Sequence, residues 1–237
     1  MRALIHSAEA HEQRLMDVIS LGSSLSNLKE HNFAPSLVVD VGANRGNWTL
    51  EAYRSFPTAE FVLLDADPVN QPYLKKVCQS LPRCRFFISL LGAERRESMR
   101  FFQMGTGSSV LPERTEVKRN VLTLPMTTLD EQVAPGENAT VLLKLDVQGY
   151  ELEVLSGARN VLSMASVVII ECSLIQYNDG APLFIEVVSF MRDRGFVIYD
   201  LCGLVRSAED GALFQLDVVF VREDSPLRML FGQTHQA

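Results

Sequence analysis

No stretch of this chain approaches the ~20 consecutive apolar residues that a membrane-spanning helix requires, which excludes a span of that kind. Its four cysteines, Cys78, Cys84, Cys172 and Cys202, form no Cys-x-x-Cys pair and no zinc-ligand spacing. They are expected to be reduced, structural thiols in a cytosolic protein. The first residues, among them His6, Glu9, His11 and Glu12, lack the basic region and apolar core of a signal peptide, so a cytoplasmic location is expected. An excess of positive charge is missing as well: the formal net charge is −7. That balance argues against nucleic acid as the partner and leaves small molecules and proteins. No compact Asp-x-Asp or His-x-His cluster is found, so no metal is assigned. No internal repeat, linker or low-complexity tract divides the chain.

What is present is an ordinary globular composition: 237 residues, 47% hydrophobic and 22% charged, enough for one sizeable α/β domain. Residues 1–34 read as a helical extension, 35–225 as the main domain and 226–237 as a tail. In the extension, Leu15, Val18, Ile19, Leu25 and Leu28 suit one or two amphipathic helices, broken at Gly22-Ser23-Ser24. These helices either pack on a sheet edge or serve as a lid or a homodimer contact.

From Leu37 the pattern changes. Short apolar runs end in acids and alternate with helical stretches: Leu37 to Asp40, Phe61 to Asp65, Arg85 to Gly92, Val141 to Asp146 and Val167 to Glu171. The helices are expected over 48–56, 72–81, 151–162 and 184–194, the last stopped by Gly195. This rhythm indicates βαβ units and a parallel sheet. Between them, Ser98 to Gln103 reads as a strand, Val121 to Pro125 as an edge strand, and Thr128 to Glu131 as a capped short helix. Phe196 to Leu201 and Leu213 to Val221 read as an antiparallel pair closing the sheet.

In a parallel sheet the carboxyl ends share one edge, so Asp40, Asp65, Asp146 and Glu171 are expected to converge on a crevice there. The loop Gly42-Ala43-Asn44-Arg45-Gly46 follows the first strand and opens a helix, whose unpaired N–H groups and close backbone approach suit a nucleotide-like ligand. Asp65, 19 residues past Gly46, stands where an acid binds ribose hydroxyls. The dinucleotide fingerprint would need a third glycine; Gly42-x-x-x-Gly46 lacks it. A cofactor without phosphates therefore fits better, namely S-adenosylmethionine. A nicotinamide-dependent oxidoreductase and a non-catalytic binding protein on a similar sheet are the alternatives.

Val39-Asp40-Val41-Gly42-Ala43-Asn44-Arg45-Gly46, the strand-two acid, Leu91-Gly92, Ser108-Ser109, Thr128-Leu129-Asp130-Glu131 and Lys144-Leu145-Asp146-Val147-Gln148-Gly149-Tyr150-Glu151 occur in that order. Together, from about Leu37 to Phe196, they resemble the FkbM-type family of S-adenosylmethionine-dependent methyltransferases. One departure is Leu64-Asp65-Ala66, where the family often has Phe-Glu-Pro; aspartate reaches one methylene less but keeps both acceptors. The resemblance implies a Rossmann-like, seven-stranded class I methyltransferase sheet, mostly parallel with an antiparallel last strand. It also implies a bound methyl donor and usually a hydroxyl acceptor on a small molecule or saccharide. Asp40, Gly42, Asn44, Gly46, Asp65, Ala66, Ser89, Leu90 and Asp146 are the expected donor contacts.

An alcohol acceptor must lose its proton, which calls for a base. His6, His11, His31 and His235 all lie outside the core strands, which leaves carboxylates unless a terminus folds over the pocket. Asp146 is the first candidate and Glu171 the second. Lys144 shares a strand face with Asp146, as a catalytic partner or as half of a structural ion pair. The acceptor itself is expected to be read by 105–109 and 173–182, with Trp48, Tyr150 and Tyr177 as candidate walls.

Overall fold

The computed structural model describes residues 19–114 and 117–228. Leu15 and Val18 lie outside the described residues, as do residues 115–116 and those beyond 228. Ser20 caps the helix α1 (Leu21–Glu30) by accepting from Ser23 N, and that helix runs through Gly22-Ser23-Ser24 without a break. Those residues fill its first turn, where orphan N–H groups rather than side-chain packing decide the conformation.

The main sheet has seven strands: β1 (Leu37–Val41), β2 (Glu60–Asp65), β3 (Cys84–Ile88), β7 (Val141–Leu145), β8 (Ala165–Ser173), β9 (Phe196–Arg206) and β10 (Leu213–Arg222). Their spatial order is β3-β2-β1-β7-β8-β10-β9. From β3 to β8 all neighbours are parallel, while β10 runs antiparallel to both β8 and β9. This is the Rossmann-like arrangement, with the last strand in sequence reversed. The chain leaves β1 outward toward β2 and β3, then returns to β7 on the other side, so the order reverses between β1 and β7. Ligands of open α/β sheets bind at that switch point.

β1 and β7 are buried along their whole length, as continuous apolar strands covered on both faces should be. On one face α1, α2 (Asn47–Ser55) and α3 (Gln71–Ser80) cover Val38, Phe61, Leu63, Leu142 and Val219. α1 also reaches the outer strand, where Ser24 Oγ donates to Asp200 at 2.6 Å and Asn27 Nδ2 to the Tyr199 hydroxyl at 3.2 Å. On the other face Val39, Val41, Val62 and Leu143 pack under α5 (Glu151–Ser156), α6 (Arg159–Met164) and α7 (Phe184–Arg192).

Three expectations need correction. The strand expected over Arg85 to Gly92 divides at Ser89: β3 stays in the main sheet, while β4 (Leu90–Leu91) joins a second, three-stranded sheet. In that sheet β6 (Asn120–Thr127) is the central strand, between β4 and β5 (Arg96–Gln103), rather than an edge. The helix expected over 151–162 is two helices, broken at Gly157, where a Cβ would sit 2.1 Å from the Gly92 carbonyl oxygen. Asp130, on α4 (Leu129–Gln132), supplies the second helix with its cap by accepting from Asn160 N and Val161 N. A further correction concerns the thiols. Cys78 and Cys84 form a disulfide, the turn after α3 bringing their Cα atoms to 4.8 Å, while Cys172 and Cys202 are free and buried. Among the described residues no helix is long and apolar enough to cross a membrane.

Candidate active site

A cavity of about 290 Å³ opens at the switch point. Gly42, Asn44, Asp65, Ala66, Ser89, Leu90, Asp146 and Glu171 lie on its wall; Asp40, Gly46 and Lys144 do not. Asp40 and Lys144 are engaged beneath the glycine loop, and Gly46 caps α2.

Asp40 and Lys144 are partners in register across β1 and β7. Both point beneath the glycine loop, where the Lys144 ammonium lies 3.1 Å from Asp40 and 3.6 Å from Asp146 and donates to the Gly42 carbonyl at 3.0 Å. Burial alone would lower the lysine's pKa, but the charges of Asp40 and Asp146 outweigh it and raise it. Asp40, 0% exposed, accepts its other hydrogen bond from Thr49 Oγ1 at 2.6 Å. This pair is a strut under the loop, and Asp40 makes no wall for a ligand.

Above the strut, Gly42 and Ala43 both donate to the Leu64 carbonyl, and Gly42, Asn44 and Gly46 all take positive φ. A Cβ on Gly42 would fall 1.8 Å from the Asp146 carbonyl oxygen, so glycine alone lets the β1 loop touch the turn after β7. Gly46 caps α2 and contacts Val77 of α3.

Asp65 anchors the next wall. Its Oδ2 accepts from Asn44 N at 2.7 Å, and its Oδ1 from Asp67 N at 2.8 Å and Asn70 Nδ2 at 3.0 Å. Burial raises its pKa against the pull of these donors. Asp67, also on the wall, accepts from Val69 N and from Gln103 Nε2 of β5, which ties the second sheet to the cavity. Phe101 and the segment from Gly105 to Val110 complete that side.

At the opposite end Asp146, Glu171 and Gln215 face the cavity around Gln148. Burial, then the charges of Asp146, Glu151 and Asp217, hold the Glu171 carboxyl well above the usual carboxylate range, with Lys144 pulling the other way. Asp217, paired with Glu171 across β10 and β8, is pushed up to about 6 by burial and Asp146. Glu151 is pushed up to about 7 by burial, although Val147 N and Gly149 N donate to it.

Gln148 and Gln215 are residues that the search for acids and glycines passes over. The signal was available for Gln215: with Asp217 it interrupts an otherwise apolar strand at alternate positions, which is one face of β10. Gln148 lies within the Lys144–Glu151 segment, where its side chain had no assigned role.

Comparison with known proteins gives this geometry a family. The model of the methyltransferase FkbM domain matches residues 40–198. The chain belongs to that family. As an FkbM methyltransferase it uses S-adenosylmethionine as methyl donor, and the cavity suits that cofactor: a phosphate-free cradle with acids on its wall. No curated protein matches the chain. Among solved structures it is similar to the Burkholderia thailandensis 1,6-didemethyltoxoflavin N1-methyltransferase at 12% identity, covering 94% of this chain and 87% of that one, with a TM-score of 0.48. The N-methyltransferase NodS of Bradyrhizobium japonicum is similar at 10% identity, covering 85% of each chain, with a TM-score of 0.48. The precorrin-6y C5,15-methyltransferase of Geobacter metallireducens is similar at 11%, covering 83% of this chain and 86% of that one, with a TM-score of 0.45. The chain spans only 40% of another similar structure, EvdMO1.

Proposed function

We propose that this FkbM methyltransferase methylates a hydroxyl group of a small molecule or saccharide, with Glu171 as the base. The observation that carries this reading is Glu171 itself: a carboxyl lifted above its usual range, on the same cavity wall as the glycine loop and Asp65. A neutral amine can attack a methyl group with its own lone pair and lose its proton afterwards, whereas an alcohol needs the proton removed. A built base therefore favours oxygen.

When bound, S-adenosylmethionine supplies an electrophilic methyl group on a sulfonium. The loop from Gly42 to Gly46 and Asp65 would hold it, and Ala66, Ser89 and Leu90 would line its bed. Glu171 would take the proton that the acceptor hydroxyl loses on methylation. Asp146, ion-paired to Lys144, orients rather than deprotonates. Holding the two reactants in line supplies much of the remaining acceleration.

The test is methyl transfer from labelled S-adenosylmethionine to a panel of alcohols, sugars and amines. Glu171→Gln is expected to lower turnover by roughly 10²–10⁴-fold while S-adenosylhomocysteine binding persists. Turnover should rise with pH as Glu171 ionises, because only the carboxylate accepts a proton. Methylation of amines alone, or undiminished turnover of Glu171→Gln, overturns the reading.

The donor site has its own check. In Asp65→Ala, calorimetry should show affinity for S-adenosylhomocysteine at least about tenfold weaker, about 1.4 kcal/mol or more, with NADH unbound in both proteins. An unchanged affinity would remove Asp65 from the site.

A further inference from the structure

Four side chains at the acceptor end close a ring of hydrogen bonds. Gln148 Nε2 donates to Glu171 Oε1 at 2.6 Å and to Asp146 Oδ1 at 2.9 Å. The Tyr177 hydroxyl donates to Gln148 Oε1 at 2.8 Å. Its oxygen accepts from Gln215 Nε2 at 2.9 Å, and the same Gln215 nitrogen donates to Glu171 Oε1, which completes the circuit.

With Glu171 ionised, as the base must be, the directions in this ring are forced. An amide nitrogen has two hydrogens, a phenol has one, and an ionised carboxylate has none. Gln148 spends both on Asp146 and Glu171, and Gln215 spends both on Tyr177 and Glu171. Tyr177 has one, and Gln148 Oε1 takes it. Both bonds to Glu171 fall on Oε1; among the described residues none falls on Oε2.

We propose that Gln148, Gln215 and Tyr177 are positioning residues for the base, pinning Glu171 by Oε1 so that Oε2 is the atom that receives the acceptor's proton. This rests on the reading of Glu171 as the base.

Two further observations agree. Gln148 holds a left-handed backbone conformation, φ +56°, which costs a non-glycine residue about 1–2 kcal/mol. Glycine would adopt it freely but could not supply the amide. The Gln148 carbonyl also accepts from Ser109 Oγ at 2.8 Å and from Asn178 Nδ2 at 2.7 Å. The turn is thereby tied to both loops expected to read the acceptor.

Those loops are joined to each other. Arg114 N donates to the Tyr177 carbonyl at 2.9 Å and Asp179 N to the Pro112 carbonyl at 2.7 Å, and the Arg114 guanidinium pairs with Asp179 at 3.0 Å. Tyr177 thus enters the ring from a loop that is itself bonded to the segment through Arg114.

The test follows the Glu171 carboxyl directly. The full chain, labelled with glutamate carrying ¹³C at the side-chain carboxyl, is titrated by NMR with S-adenosylhomocysteine present. The Glu171 signal is identified by its loss in Glu171→Gln. The charged and titratable groups around it are Asp146, Lys144, Glu151, Asp217 and Tyr177. Gln215→Leu removes a donor to the ionised carboxylate, and Tyr177→Phe removes the hydroxyl that holds the Gln148 and Gln215 amides in place, so both should raise the Glu171 midpoint, by about half a pH unit or more. Gln215→Asn, which keeps an amide, should shift it less than Gln215→Leu. Calorimetry with S-adenosylhomocysteine confirms that each variant still folds and binds.

A midpoint that stays at the native value in both Gln215→Leu and Tyr177→Phe overturns the proposal. A merely structural ring would lower the melting temperature and leave the midpoint alone. Failure of the base reading is separable, since it shows in the turnover of Glu171→Gln whether or not the midpoints move.

Discussion

Lys144→Met is expected to destabilise the protein by about 3–5 kcal/mol, the range for removing one partner of a buried ion pair. Among the described residues the ammonium is the sole partner of Asp40 Oδ1, and Asp40 has no exposed surface. Without Lys144 a carboxylate remains in the core with only the Thr49 hydroxyl to satisfy it. The bonds to the Gly42 and Val41 carbonyls vanish at the same time, so the glycine loop loses its support. Urea denaturation of native and variant proteins measures the effect. Asp40→Asn combined with Lys144→Met should recover much of the loss, because no net charge then stays buried. A loss below about 1 kcal/mol, the scale of a surface pair, would mean that the strut carries little.

Gly42→Ala should act on the ligand more than any other single methyl group in the cavity. The added carbon has to displace the Asp146 carbonyl oxygen, 1.8 Å away, and the residue has to keep φ at +73°. Either the β1 loop moves from the β7 turn or the backbone abandons the left-handed region. Both open the seam proposed to hold the donor. Affinity for S-adenosylhomocysteine should fall by roughly a hundredfold or more, about 2.8 kcal/mol, by calorimetry. Gly211→Ala is the control: φ there is +72° with nothing within 4 Å. It should cost about 1–2 kcal/mol of stability and leave binding unchanged. Equal effects of the two substitutions would show that backbone strain, not the contact with Asp146, governs the loop.

Much of the frame is legible in the chain because it rests on local regularities. Apolar runs of four or five residues, each closed by an acid or a turn, give the strands, and their alternation with helices gives the parallel sheet. The family motifs lie within those same segments. What escapes is whatever depends on a partner distant in sequence. Asp40 reads as a strand-end acid like Asp65, yet its register opposite Lys144 turns it under the loop. The strand over Arg85 to Gly92 is unbroken in composition, but Thr127 pairs with Gly92 N and Leu91 and draws the second half into another sheet. Gly157 looks like a tolerated helix glycine until the Gly92 carbonyl is brought against it. Cys78 and Cys84 stand six positions apart, too far for a Cys-x-x-Cys pattern.

The cavity's two ends are built from different kinds of chain. The donor end stands on β1, β2 and the turn after β7, whose backbones are locked into the central sheet. Beyond Glu171 and Gln215, the cavity's walls include Phe101 of β5 and the segment from Gly105 to Val110, and the loop of Tyr177 bonds to Gln148; none of these three belongs to the main sheet. Substitution in 101–114 or 173–183 is therefore expected to redraw what is methylated while the proposed donor site stays intact. For an engineer, those two stretches are the exchangeable part of the enzyme and the remainder is chassis.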